Sequence, residues 1–77
     1  MNKARRNRIA EVQSQLEALK QEIDSILEEE QEAYDNMPES LQNTERGEAM
    51  QEAIEALESA VGSCEELDEY LTNATEH

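Results

Sequence analysis

Seventy-seven residues allow a single domain, and with 36% apolar residues, two tyrosines and no phenylalanine or tryptophan there are few large side chains for a globular core. Twenty acidic residues against six basic ones give a net charge of −14. This excludes direct nucleic-acid binding for most of the surface and disfavours anionic membranes. No apolar run approaches the roughly 20 residues that span a bilayer, and no hydrophobic segment follows the basic N-terminus as in a signal peptide, so a cytoplasmic setting is expected.

The charge is segregated along the chain. Lys3, Arg5, Arg6 and Arg8 form a basic head, and Ile9 to His77 holds two basic and all twenty acidic side chains. Low hydropathy and high net charge favour disorder, but the spacing of the apolar residues opposes it. Ile9, Val12, Leu16, Leu19, Ile23 and Ile26 alternate in steps of three and four, an a/d seam with Ile9, Leu16 and Ile23 at a and Val12, Leu19 and Ile26 at d. Good helix formers surround them. Glu30 occupies the next a position, and the stripe drifts to Leu27 and Tyr34, as a straight helix drifts against a strict heptad. The pattern predicts a first helix over about residues 3–36, with fraying over 1–6 because basic side chains oppose the macrodipole there.

Asp35-Asn36-Met37-Pro38 ends that helix, since the residue before proline avoids helical geometry. Pro38 then starts a short turn, Pro38-Glu39-Ser40-Leu41, from which Met37 and Leu41 are expected to fold back over the end of the core. Asn43 or Thr44 is the expected N-cap of the second helix, with Glu45 and Glu48 favourably placed in its first turn. This makes a connection over 37–44 and a second helix over about 45–72. Its apolar set is Met50, Ala53, Ile54, Leu57, Ala60, Val61, Cys64, Leu67 and Leu71, again in steps of three and four. Gly62 within it is either a weak point or a place of close backbone approach, the weak point being favoured. A lone cysteine excludes an internal disulfide, and Cys64, on the apolar face, reads as a small buried hydrophobe.

The fold expected is all-α: one domain over residues 1–77, two long helices in an antiparallel hairpin. Each helix has an apolar face wider than one neighbour covers, so dimerisation into an antiparallel four-helix bundle or coiled coil is expected, with Leu16, Leu19, Ile23, Ile26, Leu27, Tyr34, Met50, Ile54, Leu57 and Val61 in the shared core. The hairpin should also set Arg5, Arg6 and Arg8 near Glu65, Glu66, Asp68 and Glu69. Glu48, Glu52, Glu55, Glu66 and Glu69 recur at spacings that align them on the outer face of the second helix. Like charges so placed oppose helix formation, and lysines do not offset them. Such a row can imitate a phosphate backbone and compete for basic grooves.

Catalytic constellations are poorly represented. The only histidine is His77, no phosphate-binding or calcium loop is present, and no cofactor is expected. Glu28-Glu29-x-x-Glu32 with Glu65-x-x-Asp68 resembles the magnesium-binding carboxylates of all-α nucleotide pyrophosphatases of the MazG-like type, but a hairpin holds the two patterns apart. This leaves that activity a remote alternative. The stretch Glu28 to Gln42, followed by Glu45-Arg46-Gly47-Glu48, resembles small uncharacterised acidic helical proteins of phages and bacterial mobile elements. The resemblance implies a helical hairpin in a phage-related setting and no residue-level mechanism. The function expected is a non-enzymatic inhibitor that docks its acidic ridge on a basic surface of a host nucleic-acid-handling or defence protein. The alternative is an adaptor that meets its partner through the apolar stripe, at Leu27, Tyr34 and Met50.

Overall fold

A computed structural model describes all residues from Met1 to His77. The chain is an all-α antiparallel hairpin of α1 (Lys3–Asp35), the one-turn helix α2 (Glu39–Gln42) and α3 (Glu45–Thr75). It is a rod of 58 × 16 × 12 Å. Helices of 33 and 31 residues span most of that length, at about 1.5 Å per residue.

Each boundary has a local cause. Asn2 is extended and accepts a 2.8 Å hydrogen bond from the Arg5 amide, so α1 starts at Lys3 with a side-chain cap. Arg6 donates from Nε to the Thr75 carbonyl at 3.1 Å, and the Met1 ammonium donates to the His77 carbonyl at 2.6 Å. Both place positive charge on the negative end of the α3 dipole. That contact accounts for two departures from the sequence reading: residues 3–6 are helical, and α3 runs on to Thr75 instead of ending near residue 72.

Pro38 begins α2, and Gln42 closes the corner. Its Nε2 donates to the carbonyls of Tyr34 and Met37, each at 3.0 Å, adding a second donor to the Tyr34 carbonyl, which the Met37 amide also reaches, and giving the Met37 carbonyl past the end of α1 a partner. Met37 is half-buried there, whereas Leu41 stays exposed and does not cover the core. Thr44 is the N-cap of α3 by its extended backbone, but its hydroxyl donates back to the Leu41 carbonyl and makes no capping bond. Gly47 is buried where α2 leans on α3. A Cβ there would meet the Gln42 backbone, with only 2.7 Å to its Cα.

The seam differs in phase from the expected one. On α1, Ile9, Leu16, Ile23 and Glu30 face α3 as anticipated for the a row. The second row is Gln13, Lys20, Leu27 and Tyr34, and not Val12, Leu19 and Ile26. These last three are 46%, 54% and 43% exposed. Gln13 and Lys20 find polar partners on α3, so the mixed row closes the hairpin and the aliphatic row is left outside. On α3 the seam runs through Gly47, Met50, Ile54, Leu57, Val61, Cys64 and Leu71. Only Leu16, Ile54 and Cys64 reach 7–8% exposure among the apolar residues, and none is fully buried.

Candidate protein-interaction surfaces

The two long faces of the hairpin have different chemistry, and the heptad positions show why. Positions three after or four before the Ile9–Leu16–Ile23 row hold Val12, Leu19 and Ile26. The same offset from the Met50–Leu57–Cys64 row of α3 holds Ala53, Ala60 and Leu67. At about 100° per residue such positions lie to one side of a seam. Because the helices are antiparallel, the same offset turns both rows to the same side of the hairpin. This is the apolar face.

The opposite face is polar, and cross-helix contacts define it. Gln13 donates to Asp68 at 3.2 Å and to Thr72 at 3.1 Å, Gln51 donates to the Tyr34 hydroxyl at 2.6 Å, and Lys20 pairs with Glu65 at 3.3 Å. The hydrogen bond to Glu65, and then its charge, hold the Lys20 ammonium above its ordinary pKa of 10.5. Shallow grooves along this face are lined by carboxylates from both helices: Glu17 with Glu65, Asp68 and Glu69, and farther along Glu28, Glu32 and Asp35 with Glu58.

Lys20–Glu65 is the hairpin's one ion pair. The anticipated pairing of Arg5, Arg6 and Arg8 with the acidic end of the second helix is not formed, for a reason of level. Lys20 stands beside Glu65 and Arg6 beside Thr75, so Glu65 to Glu69 lie six to ten residues, about 9–15 Å along the axis, from the level that Arg6 reaches. Arg5 and Arg8 instead line a groove with Ile9 and Val12 at the end of the apolar face.

All five ridge residues, Glu48, Glu52, Glu55, Glu66 and Glu69, are exposed. Helical geometry sets Glu52 and Glu66 on the back of α3 and turns the row of Glu48, Glu55 and Glu69 toward the polar face, where Glu55 and Glu69 line its grooves. The ridge therefore continues onto the polar face through Glu58 and Glu65, neither of which the ridge pattern included. Spacing within one helix could not reveal them, because their role depends on what α1 contributes beside them. Of the core set, Leu16 and Ile54 are buried; Ile23, Leu27, Tyr34, Met50, Leu57 and Val61 are half-buried in the seam; Leu19 and Ile26 lie outside it. An adaptor contact through Leu27, Tyr34 and Met50 would have to open the hairpin at its loop end.

The two carboxylate patterns compared with nucleotide pyrophosphatases stay apart. Glu65 and Asp68 stand beside Lys20 and Gln13, whereas Glu28 and Glu32 share a groove with Glu58. No three histidine, cysteine or acidic side chains are grouped so as to hold a metal ion. No helix is long and apolar enough to cross a membrane. Compared with known proteins, the chain matches no family model, no curated protein and no solved structure.

Proposed function

We propose that this chain is a non-enzymatic, acidic protein-binding module that docks on a basic surface of a nucleic-acid-handling or defence protein of a bacterial host, as an inhibitor of phage or mobile-element type. The observation that carries the reading is the continuous acidic surface around α3. It runs from Glu52 and Glu66 on the back of the helix through the row of Glu48, Glu55 and Glu69 to Glu58 and Glu65 on the polar face. Only Lys20 neutralises any of it by a direct ion pair. Twenty carboxylates on a rod 58 Å long leave most of them without an internal counterion, so a cationic partner relieves repulsion that folding does not. Helical pitch spaces the charges at about 5–6 Å between neighbours three or four apart, which suits a groove lined by lysine and arginine. The phage-type setting rests on the resemblance of residues 28–48 alone.

The test is charge reversal. Glu48, Glu52 and Glu55 are exposed and take no part in the seam, so Glu48→Lys, Glu52→Lys and Glu55→Lys together should leave the helical circular dichroism unchanged. The triple variant should lose the partners that the wild type retains from a bacterial lysate at about 0.05 M salt. Those partners should also be released at about 0.5 M salt, where exposed charges are screened within a few ångströms. Retention of the same partners by the triple variant would sink the proposal.

A further inference from the structure

We propose that the apolar face takes a second copy of this chain, giving a four-helix dimer with the acidic surfaces outward. This goes beyond the docking function, because it concerns the opposite face of the rod. Three observations choose this occupant.

The first is the inverted use of the α1 rows. The hairpin closes on the row that contains Gln13 and Lys20, and leaves Val12, Leu19 and Ile26 outside at 46%, 54% and 43% exposure. A helix with a single neighbour would bury its driest row; a helix between two neighbours uses a shared a row with a flanking row for each. The α1 sequence has the second form, and only one of the two neighbours is present.

The second is charge. The row of Val12, Leu19 and Ile26 begins at Arg5, and the row of Ala53, Ala60 and Leu67 begins at Arg46; neither contains a carboxylate. In a chain of net charge −14, two copies repel across any other long surface. This face alone brings them together without opposing rows of carboxylates. A cationic partner, by contrast, has no acidic group to meet in these rows.

The third is area and shape. A face 58 Å long and 16 Å wide offers on the order of 900 Å², close to the roughly 800 Å² per partner of a stable interface. Val12, Leu19 and Ile26 on α1 against the small Ala53 and Ala60 on α3 supply a large-against-small fit that lets four helices interdigitate, with Leu67 the one large side chain of the α3 row. The closure is isologous, so it stops at two copies.

Sedimentation equilibrium of the wild type from about 1 µM to about 1 mM should show a monomer–dimer equilibrium that does not weaken as salt is raised. Salt thus separates this contact from acidic docking, which it abolishes. Leu19→Glu with Ile26→Glu should raise the dimer dissociation constant at least about 30-fold, the effect expected for central interface residues. Glu52→Gln with Glu66→Gln, on the back of α3, should not raise it. If the glutamate pair also lowers helicity, dilution of the wild type followed by amide NMR gives the answer without a variant. Shifts should concentrate along Val12–Ile26 and Ala53–Leu67. A monomer throughout the concentration range, an unchanged dimer in the double glutamate variant, or dilution shifts confined to the polar face would overturn the inference.

Discussion

Gly47 and Gly62 show how differently two helical glycines behave. Gly47 is buried where the α2 backbone touches α3, and a methyl group there would run into Gln42. Nothing lies within 4 Å of a Cβ at Gly62, which makes it a weak point in the helix and not a site of close approach, in line with the favoured reading. Gly62→Ala should therefore stabilise the hairpin by about 1 kcal/mol, the difference in helix propensity. Gly47→Ala should destabilise it by about 1–3 kcal/mol, because the corner must move. Urea unfolding of the two variants checks both signs. Opposite signs are required; a stabilising Gly47→Ala would mean that the corner yields without strain.

At the scale of elements, the two long helices were legible because both signals are local. Apolar steps of three and four mark the helices, and Pro38 with its preceding residue marks the break. The corner was less so. Gln42 bonds the carbonyls of Tyr34 in α1 and Met37 in the connection, across sequence separations of eight and five residues, and no property of the sequence around it announces that role. Leu41, the expected cover, is exposed instead. Gln42→Ala removes both bonds, leaving the Met37 carbonyl to solvent and the Tyr34 carbonyl with the Met37 amide alone. It should lower stability by about 1–2 kcal/mol, and it should speed amide exchange in the last turn of α1 more than at the centre of α3. Uniform acceleration along both helices would show instead that the corner and the rod unfold as one unit.

For the whole molecule, charge and packing pull against each other. The seam holds no fully buried side chain, and one ion pair offsets little of the −14 net charge. Mutual repulsion of this kind is screened by salt, with a Debye length of about 30 Å at 0.01 M and about 10 Å at 0.1 M. At fixed protein concentration the melting temperature should rise steadily from about 0.01 M to about 0.5 M sodium chloride, read by circular dichroism. A fall would mean that attractive pairs outweigh repulsion.

The sequence by itself determined the all-α class, the two helices, the turn at Pro38 and the acidic ridge, because periodicity, helix capping and proline geometry act over a few residues. It also placed Leu16, Ile54 and Cys64 on buried faces. It did not determine which side of the a row would close the hairpin, since Val12, Leu19 and Ile26 compete there with Gln13, Lys20, Leu27 and Tyr34. Only the tertiary structure decided that, through partners far away in the chain: Asp68 and Thr72 for Gln13, Glu65 for Lys20, Gln51 for Tyr34. The same contacts set the level at which the helices meet. They carry the basic head to the carbonyls at the end of α3 and divide the rod into an acidic side and an apolar one.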